Sequence, residues 1–289
     1  MNQKGRLTMA EHKTEHTRWY HLLDAFRGFA LLNMLFFHFY YDVYVIFGLD
    51  SDWYHYPAVR VWQQFICMSF LIVSGMSWHF SRNNLKRGIQ LNIYGLLITA
   101  VTGLVMPDQT VRFGILNCIG CCTLLMIPLN KICILRFDHH YTEHSPDKRV
   151  FHLLKAFCGL FPALLLFLFT RNISDGYFSL AGLHIDLPDW LYSFHPMTIL
   201  GFPYSGFRSS DYFPILPWFF LFLSGYWLWE VIRCSNRAMR ALCTKVPVLS
   251  RLGQKTIWIY LLHQPLLYGM AYLLITVFQI RMKILLLWL

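Results

Sequence analysis

Charged side chains are scarce in this chain. Of its 289 residues only 14% are Asp, Glu, Lys or Arg, against 56% hydrophobic. Soluble domains carry closer to about a quarter charged residues and rarely repeat apolar stretches of spanning length. The composition therefore excludes an ordinary soluble domain and specifies a polytopic membrane protein. A net charge of +10 does not call for nucleic acid, because excess Lys and Arg in such proteins gathers in cytoplasmic loops beside anionic lipid. No cleavable signal is expected either: the first 20 residues are polar, and the first apolar stretch has no small-residue cleavage site. That stretch is expected to persist as the first membrane helix, after a polar tail over 1–18 and at the head of a transmembrane domain over 19–289. The cysteines, Cys67, Cys118, Cys121, Cys122, Cys133, Cys158, Cys234 and Cys243, fall in expected spans or cytoplasmic loops, which implies no disulfide framework. The run "CIGCC" contains a C-x-x-C but no second ligand pair at metal spacing, so no metal is expected there.

What is present is a series of apolar runs of spanning length, at approximately 26–48, 60–80, 89–106, 113–134, 150–170, 213–233 and 256–279. The tail "KILLLWL" is too short to cross alone; it lies in the interface or extends an eighth element. The expected fold is thus an all-α bundle of about seven to eight transmembrane helices. Lys and Arg alternate between the connections. Lys4, Arg6, Lys13 and Arg18 precede the first span, and "SRNNLKRG" holds Arg82, Lys86 and Arg87. The fourth connection holds Arg136, Lys148 and Arg149, and the sixth holds Arg237, Arg240, Lys245, Arg251 and Lys255. By contrast "GLDSDWYHYPAV" has neither residue type, "MPDQTVR" has only Arg112, and the stretch 171–211 has only Arg171 and Arg208. The bias places the N-terminus in the cytoplasm. Arg281 and Lys283 fit less well, since an odd number of spans leaves them outside.

The first span carries an unusual load. At 100° per residue, Asp24, Arg27, His38 and Asp42 fall within an arc of roughly 60° on one helix face. Arg27 and His38 are about 16 Å apart along the axis, so the face connects the inner end of the span to its outer part. Asp24 and Arg27 read equally well as an interfacial ion pair that anchors the helix. Alone, His38 reads as a packing histidine, but ionisable groups in membrane segments usually face a protein interior or a wet cavity. Further polar groups fall on matching sides. Outside lie Asp50, Asp52 and His55 in "DSDWYHYP", with Asp211 and Tyr212 in "SSDYFPILPW". Inside, Arg82, Asn83, Lys86 and Arg87 offer a counter-surface for phosphates, although composition alone reads them as a positive-inside loop. In "YLLHQPLL", Pro265 removes a helix donor beside His263 and Gln264 and predicts a kink, which suits a cavity lining or a packing device. His139, His140 and His144 read as a solvated loop before a metal site. The layout suits a phosphorylated donor inside and a neutral acceptor outside, with a histidine taking a proton from an attacking amine or hydroxyl, or itself becoming acylated.

The segments "LLDAFRGFALLNMLFFHFYYDV", "FLIVSGMSWHFSRNNLKRG", "MTILGFPYSGFRSSDYFPILPWFFLFLSG" and "TIWIYLLHQPLL" together resemble the catalytic domain of heparan-alpha-glucosaminide N-acetyltransferase and its compact bacterial relatives, from about residue 19 to 270. The resemblance implies transfer of acetyl from cytoplasmic acetyl-CoA, as co-substrate, across a membrane onto an amino sugar, in a protein of the bacterial plasma membrane. It implies a working histidine in the loop after the first helix, on or beside His55, and a polar residue at the place of His38, where the family has asparagine. His55 and His38 are accordingly both catalytic candidates. Arg27, Arg82, Asn83, Lys86, Arg87, His263 and Gln264 are expected around the donor, and Asp42, Asp211 and Tyr212 around the acceptor. The family's large luminal domain has no counterpart in these segments, so recognition of a polymeric glycan is expected to differ. A homodimer is left open. The competing reading is a transporter or permease with a polar translocation path and no acyl transfer; an inverted repeat would favour it, and none is evident. A purely structural scaffold is a third reading.

Overall fold

The structure, a computed structural model, describes residues 20–50, 52–131 and 146–287, without the side chains of 146–148 and 279–287. Helix accounts for 77% of it, and the strands form one small hairpin, so the chain is an all-α polytopic membrane protein. The tail cations Lys4 to Arg18, and His139, His140 and His144, lie outside the described residues. Among the described residues six helices are long and apolar enough to cross a membrane, and Ile115–Lys131 is a shorter apolar helix.

Contacts divide the chain into two units, residues 1–63 with 235–289, and residues 64–234. The first contains α1 (His21–Tyr41), continued by a π-helical turn Asp42–Ile46, and a 3-10 turn Trp53–His55. It also contains the start of α2 (Pro57–Met76) and the helices α7 (Asn236–Leu242), α8 (Pro247–Gln254) and α9 (Thr256–Leu287). Helix α8 packs against the first half of α1, and α9 follows along it. The docking is backbone to backbone. A Cβ on Gly28 would sit 2.0 Å from the Leu249 carbonyl oxygen, and one on Gly253 would sit 1.9 Å from that of Asp24. Small residues at a crossing let membrane helices approach this closely, where packing rather than hydrophobicity drives association. Ser250 Oγ seals the contact by donating to the His21 carbonyl at 2.9 Å.

The same contacts set direction. Gly253 lies against Gly28, and further on Gln264 bonds Asp42, so α1 and α9 run parallel, as two spans separated by an odd count must. Helix α9 stays helical across Pro265 and continues through the apolar tail to Leu287. The tail therefore extends the last span and adds no separate eighth element.

The second unit holds the rest of α2, a 3-10 turn Ser77–Phe80, α3 (Asn84–Val105), α4 (Ile115–Lys131), α5 (Pro146–Thr170) and α6 (Ile215–Arg233). The hairpin of β1 (Tyr177–Leu180) and β2 (Leu183–Asp186) pairs antiparallel, Tyr177 opposite Asp186. Helix α4 spans only about 26 Å at 1.5 Å per residue, short for a bilayer core of about 30 Å. It is heavily buried, with Cys118, Cys122, Thr123 and Met126 sealed from solvent, so protein rather than lipid covers it. Cys121 donates to Asn92 on α3 at 3.4 Å and Cys118 to the Pro214 carbonyl at 3.7 Å, which makes the C-x-x-C part of this packing.

Gly28→Ala should cost about 2 kcal/mol or more, because no flexible side chain can yield to the new methyl group. Gly269→Ala, whose Cβ would meet nothing within 4 Å, should be neutral or stabilising. Thermal unfolding of both variants in detergent checks the contrast.

Candidate functional site

Three turns of α1 separate its two ionic ends. At the first, Arg27 Nη1 donates to Asp24 Oδ1 at 2.8 Å, and Gln254 Nε2 reaches Asp24 Oδ2 at 3.4 Å. The ion pair exists, and Gln254 links it to α8. At the second end, Gln264 Nε2 donates to Asp42 Oδ1 at 2.8 Å, and the rings of His38 and His263 lie 4.8 Å apart. His263 Nδ1 is 2.5 Å from the Tyr260 carbonyl oxygen. One face of α1 and two consecutive residues of α9 thus form a single polar cluster. Asp42 is 0% exposed and His263 8%. Asp42 Oδ2, His263 Nε2 and Gln264 Oε1 are buried without a hydrogen-bond partner among the described residues. Buried polar atoms are normally satisfied, and in a membrane segment an unmet one is a mark of a functional cavity.

Local backbone geometry contributes. At Asp42 the helix widens, and the Asp42 carbonyl accepts from the Phe47 N–H at 2.9 Å, five residues on. Such π turns recur at functional sites. Gln264 lies about 12 Å along α9 from Thr256, roughly a third of the way through an apolar window that ends at Phe278. By that measure the cluster sits within the apolar depth of α9, whereas the charge pattern alone sets His38 and Asp42 towards the outer end.

His55 stands apart from the cluster. It is exposed on the 3-10 turn, with Nδ1 3.3 Å from Arg60 Nη2. Next to it, Tyr40, Tyr44, Trp53, Ala58, Val59 and Trp62 line a cleft of about 270 Å³. Tyr44 and Trp53 stack at 5.7 Å, and Trp62 Nε1 donates to Asn33 on α1 at 3.0 Å.

The remaining candidates belong to the second unit. Asn83 caps α3 by accepting from the Lys86 N–H at 2.9 Å, so its side-chain carbonyl is committed to the helix start. Arg87 donates to the Ser77 carbonyl at 3.2 Å. Arg82 and Lys86 are exposed beside the amide end of α3, where helix polarity favours anions. Asp211 accepts from the Ile115 N–H at the start of α4, and Tyr212 donates to the Thr198 carbonyl. Burial pushes the Asp211 carboxyl up to about 6 from 3.8, against the opposing Ile115 bond.

One cluster has no counterpart among the expectations from sequence. Glu230 on α6 is 0% exposed and meets His79 Nδ1 at 3.3 Å, His152 Nε2 at 3.0 Å and Arg233 Nη1 at 3.4 Å. It joins the end of α2, the start of α5 and α6. A lone acid in the apolar run "LSGYWLWEVIR" is the available signal. The cluster's bonds are made internally, which marks it as a strut. His79 also stacks on Tyr226 at 4.2 Å.

Two parallel spans of a helical membrane protein thus bring an imidazole, a carboxylate and an amide together within the bilayer. The profile of the family described as "Heparan-alpha-glucosaminide N-acetyltransferase, catalytic" matches residues 19–138 and 150–265, and the chain belongs to that family, a transmembrane acyltransferase family. Comparison with curated proteins gave no match, and comparison with solved structures gave none.

Glu230→Ala should destabilise by about 3 kcal/mol or more, because it removes the buried carboxylate that Arg233, His79 and His152 share; the midpoint of thermal unfolding reads it. The raised Asp211 value predicts that the folded state holds a proton between pH 3.8 and about 6 that the unfolded state has lost. Its contribution to stability therefore falls as pH rises through that window. Asp211→Asn keeps the acceptor for Ile115 and should flatten the slope of melting temperature against pH.

Proposed function

We propose that this protein transfers the acetyl group of cytoplasmic acetyl-CoA to an extracytoplasmic amino sugar of glucosamine type. The observation that carries the reading is the buried His38–Asp42–His263–Gln264 cluster in a chain of an N-acetyltransferase family. An attacking amine must lose a proton to become nucleophilic, and a neutral imidazole has the lone pair to take it. His38 offers that group inside the cluster, and His55 offers it on the exposed turn that the family resemblance favours. Either acts as general base or as transient acetyl carrier, with Asp42, Asp211 and Tyr212 on the acceptor side.

The donor's phosphates suit Arg82 and Lys86, which project at the amide end of α3, with Arg87 and Asn83 shaping that turn. Arg27 supplies a further cation at the inner end of α1. The N-terminus is then cytoplasmic, and the domain begins near residue 19. His263 and Gln264 line the donor cavity where it meets His38 and Asp42.

Acetyl transfer from labelled acetyl-CoA to glucosamine in proteoliposomes tests the reading. At least one of His38→Ala and His55→Ala should lose about 100-fold or more in rate; normal transfer by both variants would show that the site is wrong. Arg82→Ala and Lys86→Ala should raise KM for acetyl-CoA with kcat little changed, the pattern of lost uniform binding.

A further inference from the structure

A cavity of about 610 Å³ opens where α5 ends and the hairpin begins, lined by Leu168, Arg171, Asn172, Ser179, His184 and the turn 180–183. That volume is in the range usual for ligand sites, about 300–1,000 Å³, and none of these residues enters the acetyl-transfer reading. The hairpin beside it has two unlike faces. Its register sets Tyr177 opposite Asp186 and Ser179 opposite His184 on one face, and Phe178 opposite Ile185 and Leu180 opposite Leu183 on the other. Phe178 meets Phe169, in the last turn of α5, at 4.9 Å, while Leu183 and Ile185 are left exposed. An amphipathic hairpin pinned to the last turn of a span lies at the membrane surface, and the loop charges make this the outer one.

The cavity joins hydrocarbon to charge. Leu154, Phe161, Leu165 and Leu168 are exposed on α5 and fall within an arc of about 60°. They form a lipid-facing stripe about 21 Å long, more than the roughly 15 Å depth of one leaflet, and its last member lines the cavity. Arg171 follows about 4.5 Å further along the axis, a rise that carries it into a headgroup layer of about 5–8 Å. Its guanidinium is exposed and makes no hydrogen bond or ion pair among the described residues. Ser179 Oγ accepts from Asn172 Nδ2 at 2.6 Å, so the hydroxyl hydrogen of Ser179 remains to donate. His184 is held by a ring stack on Tyr177 at 4.5 Å and by Asp186 Oδ1, 2.9 Å from Nε2. Asp186 itself is not part of the lining, where Arg171 carries the one permanent charge.

Anions reach such a place either from solution or from the bilayer. A soluble anion has no use for an apolar wall, whereas a phospholipid presents a phosphodiester at this level with hydrocarbon directly beneath it. We propose that the cavity is a headgroup site for a phosphodiester-bearing membrane lipid, with Arg171 and Ser179 on the phosphate and one lipid chain along the α5 stripe. The guanidinium offers a planar set of donors that matches phosphate oxygens, and its single charge meets the single charge of a phosphodiester. A lipid seated there bridges α5 and the hairpin. The site requires binding alone and is independent of acetyl transfer.

Native mass spectrometry of the purified protein counts the lipids that stay bound as detergent strips the rest. Wild type should retain phosphatidylglycerol, and should release a galactosyl diacylglycerol, which has the chains but no phosphate. Arg171→Gln should weaken retention of phosphatidylglycerol about tenfold or more, and Leu168→Ser, on the hydrocarbon side, severalfold. Where Leu168→Ser does not fold, Ser179→Ala removes the second donor and should also cost severalfold. Arg112→Gln, at an exposed arginine outside the lining, should leave retention unchanged. Retention of the galactolipid as strong as that of phosphatidylglycerol, or retention untouched in Arg171→Gln, overturns the site. Displacement of phosphatidylglycerol by inorganic phosphate at millimolar concentration would make the ligand a soluble anion and overturns the lipid. Equal losses in Arg171→Gln and Arg112→Gln would mean a general attraction of anionic lipid and overturn it as well.

Discussion

The close approach of Gly28 and Gly253 governs the first unit. Two backbones that nearly touch leave no freedom in register, so the point at which α9 leaves α8 is fixed relative to α1. From there the rise of a helix carries Gln264 to the level of Asp42 and His263 to the level of His38. A side chain at either glycine would part the helices, and the polar groups further along would lose one another. The bond between Asp42 and Gln264 depends on a contact about 20 Å away on α1.

The buried carboxylates of the two units illustrate opposite uses of one chemistry. Glu230 is surrounded by two imidazoles and a guanidinium, so its bonds are met from inside the protein. Asp42 has one internal bond and one oxygen left over. A satisfied network rigidifies and fixes neighbours, whereas a partly satisfied one carries an energetic cost until something else completes it. The first is suited to holding α2, α5 and α6 together, and the second to holding a ligand.

Much of the fold is legible in the sequence because apolar run length and loop charge are strong, local signals. The face of α1 is legible as well: a 3.6-residue period sets Asp24, Arg27, His38 and Asp42 in line, and the structure keeps His38 and Asp42 against one neighbouring helix. Periodicity says nothing, however, about which helix that neighbour is. The partnership with α9 requires the glycine contact, which has no one-dimensional signature. Asn83 has a role that its company does not announce: beside Arg82 and Lys86 in the loop, its place just ahead of a helix makes it a cap as well, a use that Asn has by preference. Glu230 lies outside any motif and so escapes a motif-based reading, although an acid in a span is itself informative.

The widened turn at Asp42 has one more implication. A π turn holds an extra residue compared with an α turn, so the side chains after it are rotated by about 100° from where a continuous α-helix would aim them. Val43 to Phe47 therefore follow a different rotational phase from the face that ends at Asp42. Phe47 is thereby placed 5.2 Å from Tyr268 on α9, one turn beyond Gln264. The number of residues between His38 and Phe47 is thus part of the site's specification, as much as their identity, and a chain one residue shorter there would face a different side of the same helix.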